Sequence, residues 1–597
     1  MSLSLNKTSR FFFYIFIFLL PFFCITNLSI PFEASKIVIL LTFLGFTSIL
    51  GIIGTIKEGK IEVGNKTIPL FALLFFLFAG LSTLLFSLSK TSSFLGGLRD
   101  SGTSHSLITF LLYACMFFLP LLVINKKEHI RKLGLAFAFS ILTLNTMFLI
   151  ETLLGVEIRI LLTSLNTFAI LNVLGLIALL FLFKEEKNPT IKGVLGLSFF
   201  VFGAGLVLVN LSMSWFILGI ASFLLFWASL LNGKHNFVFL LITLISVVFF
   251  VLDPSLSFEK KTHIQSLGYS ESIEIAKKPS FLGSGLGTFD KTFLKVNPTK
   301  LQTTYSESFS SILTLLNDLG MIGLFLFLAI FILASIKGFK RFLERKQDPY
   351  ERMAFISFFT LFILTFFYNF GVILYSFLFL FLALFLILSS KPILILFKDL
   401  KADQIFFKVA GLSLFAILII VFTYFAFLNL FAEKNYEEAI KIQLEDKDKA
   451  IKYLEKSNSF ITKDKTQIEL SRLYLLKASD LNTESKLLET KEEDREVKQE
   501  ECEVYLDLAE KTALLATKTE PYNHLTWINL GEVLNSKRKL KNEELEESVI
   551  QPYLKGIILA PFLIEHYNTL SSIYGEVGDL ERQLEIEEKI RLIEVQK

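Results

Sequence analysis

Long apolar blocks separated by short charged breaks fill residues 1–432, whereas from 433 onward Lys and Glu recur among the apolar positions. A membrane-crossing helix needs about 17 to 25 mostly apolar residues. Blocks that meet or approach this length lie at 11–30, 37–56, 68–88, 107–124, 133–154, 165–183, 191–209, 215–231, 237–252, 321–336, 353–368, 372–388 and 409–431. The pattern predicts an all-α chain: a polytopic transmembrane helical bundle of about 13 spans over 1–432, then an α-solenoid over 433–597. Lys7 and Arg10 precede the first block in the manner of a signal peptide. No small-residue cleavage pattern follows and Pro21 interrupts the run, so it is read as an uncleaved span.

Basic residues concentrate in alternate breaks: Lys7 and Arg10, then Lys57, Lys60 and Lys66, then Lys126, Lys127, Arg131 and Lys132, and so on to Lys391, Lys398, Lys401 and Lys408. The short intervening loops hold only Lys36, Lys90, Arg99 and Arg159. Because basic loops stay in the cytoplasm, the N-terminus is expected inside and the 433–597 domain outside. One outer connection, 253–309, is far longer than the others. Its apolar and glycine punctuation (Phe281, Leu282, Gly283, Gly285, Gly287, Phe289) predicts a segment folded against the membrane surface.

The C-terminal domain shows a repeat phase. Ala509, Ala513, Ala516 and Pro521 fit the small and proline positions of a tetratricopeptide repeat, and Trp527, Leu530, Gly531 and Leu534 open the next in register. Tyr553, Gly556 and Pro561 close that repeat, Tyr567, Leu570, Ser571 and Tyr574 open another, and a weaker copy surrounds Ala450, Leu454 and Ser457. A generic helical bundle is the plainer alternative. Repeats of this kind bind peptides or neighbouring proteins on a concave face, so a protein or peptide partner is expected.

Composition agrees with the membrane assignment: 53% of the 597 residues are hydrophobic and 19% charged, with a mean hydropathy of +0.58. A formal net charge of +3, with no basic stretch interleaved with aromatics, argues against nucleic-acid binding. Cys24, Cys115 and Cys502 form neither a disulfide framework nor a CxxC metal site. Asp446-Lys-Asp448 lies in a charged helix and reads as a solvated face, and the first outer loop offers only Glu33, so no metal and no cofactor are expected.

Chemistry on an extracytoplasmic substrate calls for polar residues at the outer ends of spans. The outer arginines are Arg99 and Arg159, and the outer histidines are His105 and His263. Arg99 lies in the glycine-containing run Phe94 to Thr103, where a guanidinium can grip phosphate bidentately. The same spacing also fits an interfacial Arg paired with Asp100 or snorkelling. A second constellation runs from Lys277 and Lys278 through Pro279 to Phe289, with glycines at 283, 285 and 287, and then through Asn317-Asp-Leu-Gly-Met-Ile-Gly323. It superficially matches a dinucleotide fingerprint, but no strand precedes it and it lies outside the cell.

These elements resemble the O-antigen ligase and polymerase family: the Pro-x-x-x-Gly-x-Gly-x-Gly-x-Phe turn from Pro279 to Phe289, the Asn317 to Gly323 element, and the outer loop with Arg99. The resemblance covers most of residues 1–432 in span layout, and a tetratricopeptide tail is a common appendage of such proteins. It implies a bacterial inner-membrane glycosyltransferase, metal-independent, that moves a glycan from an undecaprenyl-diphosphate carrier to an extracytoplasmic acceptor. By the same resemblance, Arg99 binds the diphosphate, and Asp318 stands where the family element carries Glu.

The chain departs from the family at three places. The family's histidine before this element is missing, since residues 305–311 read Tyr-Ser-Glu-Ser-Phe-Ser-Ser. No Arg precedes the Pro279 turn, and Met213 interrupts the Ser-Arg pair that often opens the eighth span. Glu307 is the substitute base expected from its place before Asp318, with His263 second, and Lys277 and Lys278 stand in for the missing arginine on phosphate. The competing reading is a catalytically degenerate relative whose repeats recruit envelope proteins. A transporter is disfavoured because the spans carry almost no internal charge.

Overall fold

The computed structural model describes residues 5–22, 32–63, 67–95, 105–154, 165–209, 212–231, 237–252, 269–276, 281–296, 308–344, 347–390, 393–396, 402–487, 492–541 and 543–595. The chain begins with α1 (Leu5–Leu19) and a 3₁₀ turn, then α2 (Phe32–Glu58), β1 (Lys60–Val63), α3 (Thr67–Phe86), α4 (Lys90–Leu95) and α5 (Leu107–Val123). It continues through α6 (Lys127–Leu154), α7 (Leu165–Glu185), α8 (Pro189–Val209), α9 (Ser212–Leu231), α10 (Phe237–Leu252), α11 (Tyr269–Ala276) and α12 (Phe289–Val296). The apolar part closes with α13 (Ser311–Leu343), α14 (Pro349–Leu364), α15 (Val372–Ser389), β2 (Ile393–Leu396) and α16 (Ala402–Ile442).

Among the described residues nine helices (α2, α3, α6, α7, α8, α9, α13, α15 and α16) are long and apolar enough to cross a membrane, and α5 and α10 are apolar but shorter. The first helix departs from the expected 11–30 block. It starts at Leu5 and loses α-geometry at Leu20–Phe22, where Pro21 has no N–H to continue the ladder. β1 pairs antiparallel with β2, Lys60 opposite Leu396 and Val63 opposite Ile393, tying together the connections that follow α2 and α15.

The core follows from a helix that is apolar all round. α15 is Leu, Phe, Ile and Val on every face and is buried at nearly every position, as expected of a helix enclosed by others. Phenylalanines fill the spaces around it: Phe331 stacks on Phe362 at 5.2 Å and Phe379 touches Phe76, Tyr113 and Phe331. One polar pair lies inside this core. Asn145 and Asn172 exchange two amide hydrogen bonds of 2.6 and 2.8 Å between α6 and α7. Gly205 of α8 lets that pair in, since a Cβ there would lie 2.0 Å from Asn145 Oδ1.

The C-terminal helices are α17 (Lys447–Phe460), α18 (Asp464–Leu487), α19 (Glu492–Thr519), α20 (His524–Lys541), α21 (Glu547–Leu559), α22 (Ile564–Glu576) and α23 (Leu580–Val595). Each packs mainly on its sequence neighbours. The compositional boundary at 432/433 falls inside α16, which continues unbroken so that Tyr436, Ala439 and Ile442 join the core of the C-terminal helices with Ala450, Leu454 and Tyr474. At this joint Glu433 is buried and salt-bridged by Lys463 and Lys465, the latter at 2.6 Å. Helical continuity and a neutralised buried carboxylate replace a linker.

His524 opens α20 and His566 lies in the first turn of α22, and their rings meet Nδ1 to Nε2 at 2.7 Å, both buried. Burial holds the His566 imidazole down at about 4. An unfolded chain takes up that proton near pH 6.5, so the folded state binds fewer protons between about 6.5 and 4. Stability therefore falls as pH drops through this window, by roughly 3 kcal/mol at most. We expect the melting temperature of the full chain to fall across it, and His566→Gln to flatten the fall, measured by thermal unfolding of both proteins at each pH. Equal slopes would contradict the assignment.

Candidate functional site

The site starts from a break in α13. Gly320 sits at φ 67°, ψ −167° inside an otherwise helical run, conformational space that suits glycine. The break leaves the carbonyls of Asn317 and Asp318 without helical partners, and Ser284 N–H and Gly285 N–H donate to them at 3.1 and 2.9 Å. The glycine turn of the 253–309 connection is therefore folded, and it packs on the broken helix. It enters the bundle, and Leu286 at its tip is wholly buried.

Three walls receive it, each facing one glycine. Gly283 (φ 85°) lies against the backbone of Asp318, Gly285 (φ 94°) against Ser87, and Gly287 (φ 65°) against the carbonyl of His105. A Cβ at these positions would approach those neighbours to 2.2, 2.5 and 2.6 Å. Every alternate position is glycine because every alternate position touches backbone or a close side chain. The turn's carbonyls are satisfied as buried backbone requires: Ser82 Oγ donates to Leu282 O at 2.8 Å, Leu88 N–H to Ser284 O at 2.9 Å, and Ser93 Oγ to Leu286 O at 2.5 Å.

Asp318 is the hub, and it is fully buried. Its Oδ2 accepts from Gly287 N–H at 3.0 Å and lies 3.0 Å from His105 Nδ1; Asn317 Nδ2 donates to Oδ1 at 3.2 Å. His105, 2% exposed, presents Nε2 to the Tyr375 hydroxyl at 3.2 Å. Ser106 caps α5 immediately after it, with a reciprocal Ser106–Thr109 box that fixes where the helix starts and so where His105 points. Tyr375 comes from the first turn of α15 and packs on Tyr113 at 5.2 Å. A carboxylate on one nitrogen of an imidazole sets its tautomer and leaves the other to exchange a proton. Asp318, His105 and Tyr375 are ordered in that way.

Beside this cluster an apolar groove of about 760 Å³ runs between α3, α5 and α16. Leu81, Leu84 and Leu107 line the end next to His105, and Asn125, Lys126 and Ser390 line the opposite end. Its lining is apolar along the helices and polar only at Asn125, Lys126, Lys127 and Ser390.

Of the residues singled out from the sequence, Asp318, Gly283, Gly285 and Gly287 are brought together. Arg99 (in 96–104), His263 (in 253–268), Lys277 and Lys278 (in 277–280) and Glu307 (in 297–307) lie outside the described residues. The segment with Arg99 joins α4 directly to His105. Sequence reasoning noted His105 only as an outer histidine and missed Tyr375. The available signal was a lone phenol in an apolar span, since a buried Tyr hydroxyl requires a partner. Searches against protein-family models, curated proteins and solved structures find no match to this chain.

Proposed function

We propose that this protein is an integral-membrane glycosyltransferase of the O-antigen ligase and polymerase type, moving a glycan from an undecaprenyl-diphosphate carrier to an extracytoplasmic acceptor. The observation that carries this reading is convergence: the glycine turn, the Asn317-Asp318 element and the end of the Arg99 loop, far apart in sequence, meet around one histidine. In this reading each of the thirteen apolar blocks of the sequence spans the bacterial inner membrane, with the N-terminus inside. The C-terminal helices form tetratricopeptide-like repeats outside, and the groove beside His105 receives the polyprenyl tail.

In the transfer, the acceptor oxygen bonds the anomeric carbon and the bond from that carbon to the diphosphate breaks. The electron pair leaves with the diphosphate, where Arg99 neutralises charge, and the hydroxyl proton passes to a base. In this reading His105, oriented by Asp318, takes the role of the histidine missing before the Asp318 element. It takes precedence over Glu307 and His263 because its carboxylate partner is in place.

The burial of His105 and Asp318, with both ring nitrogens occupied, favours a second reading in which the pair only staples the turn of a non-catalytic scaffold. His105→Asn separates the two. The Asn amide can still donate to Asp318 but cannot take a proton. A catalytic His105 predicts a fall in transfer of about 10²- to 10⁴-fold in a protein that still folds, its stability lowered only by loss of the Nε2 contact to Tyr375. Glycan products at the wild-type level would leave only the staple.

A further inference from the structure

The turns between C-terminal helix pairs face the membrane bundle. Ile461, between α17 and α18, packs against the bundle core. Ala560 and Leu563, between α21 and α22, pack on Phe289, Phe293 and Leu294 of α12 and on Ile275 of α11. Between them Glu520, 1% exposed, follows α19 and extends its carboxylate into the bundle. Ser89 Oγ donates to its Oε1 at 2.7 Å, and Lys291 Nζ, itself 8% exposed, lies 3.6 Å from its Oε2.

Those two contacts fall on the two strands of chain that hold the glycine turn. Ser89 N–H donates to Ser87 Oγ at 3.0 Å, Ser87 and Ser93 share a hydroxyl hydrogen bond of 2.6 Å, and Ser93 holds Leu286 O. Ser87 is also the wall against which Gly285 fits. Lys291 belongs to α12, which starts directly after Gly287 and Thr288, and its N–H donates to Thr288 O. One carboxylate from the C-terminal domain thus bridges the wall of the turn and its exit. A buried carboxylate with so few partners is costly unless its position matters. Lys291 is burdened by its own burial, yet the carboxylates of Asp290, Glu520 and Asp464 hold its ammonium above the usual lysine range.

We infer that Glu520 is a positioning residue of the membrane site: through Ser89 and Lys291 it clamps the glycine turn onto Asp318 and His105, so the C-terminal domain is part of the site. The consequence for catalysis rests on the proposed transferase function; the clamp itself does not. The test uses the full chain in lipid nanodiscs, comparing wild type with Glu520→Ala, Glu520→Gln and Ser89→Ala. Gln keeps an oxygen for Ser89 and loses the charge facing Lys291. Ser89→Ala removes a single hydroxyl and guards against misfolding of the Glu520 variants.

Amide exchange in 281–296 is expected to quicken at least about tenfold in Glu520→Ala, less in the other two, with exchange in α18 to α20 unchanged. Transfer should lose about tenfold in kcat with little change in KM for the lipid donor, and Glu520→Gln should recover part of it. Unchanged exchange in 281–296 in both Glu520→Ala and Ser89→Ala overturns the clamp. Faster exchange with wild-type kcat overturns the positioning role. Faster exchange in a protein whose wild type transfers nothing keeps the clamp and discards the transferase reading.

Discussion

Asp318→Asn is expected to lower glycan transfer by about 10²-fold or more and to loosen the glycine turn at the same time. The carboxylate takes hydrogen bonds from Gly287 N–H and Asn317 Nδ2 and partners His105 Nδ1, two groups at one oxygen and one at the other. An amide has a single acceptor oxygen. If that oxygen faces Gly287 and His105, the NH₂ meets the Asn317 amide; turned around, the NH₂ meets both other groups. Each buried donor left without an acceptor costs about 1–3 kcal/mol. The substitution also removes the negative charge that faces His105 Nδ1. The measurement pairs initial transfer rates with amide exchange over 281–296. Wild-type values for both would remove Asp318 from its role as the hub.

Gly285→Ala is expected to destabilise the inserted turn by roughly 2–5 kcal/mol, the sum of about 1–2 kcal/mol for a side chain at positive φ and about 1–3 kcal/mol for overpacking. The new methyl would sit 2.5 Å from Ser87 Cβ and 2.6 Å from its Cα. Ser87 cannot retreat freely, because its hydroxyl is bound to Ser93 and to Ser89 N–H. Gly371→Ala is the control: its φ is −76° and nothing lies within 4 Å of the added carbon. Thermal unfolding should shift for Gly285→Ala and stay near wild type for Gly371→Ala. Equal melting temperatures would show that the turn does not need its glycines.

The membrane character was legible because so many apolar runs of span length in one chain exceed what a water-soluble core can bury, and each block does contain a helix. Helix ends were less legible. α13 begins at Ser311, ten residues before the block at 321–336, because Ser310 caps a polar first segment that the apolar count passes over. α16 hides the change of solvent, since a helix continues through a compositional boundary at no cost when both sides favour it. The glycine turn is visible in the sequence, but the neighbours it packs against are not. Glycine spacing reports close approach without naming the neighbour. His105 and Glu520 escaped for the same reason: His105 is 213 residues from Asp318 and Glu520 is 431 from Ser89, and one chain read alone carries no signal that links such distant positions.

The most direct test is to incubate the purified full chain in lipid nanodiscs with a polyprenyl-diphosphate oligosaccharide and a hydroxyl acceptor, with His105→Asn alongside. Transfer through His105 predicts chain extension or acceptor labelling by the wild type, release of polyprenyl diphosphate in equal amount, and neither product above background for His105→Asn. Product formed equally by both proteins, or by neither across a panel of lipid-linked glycans, would contradict it.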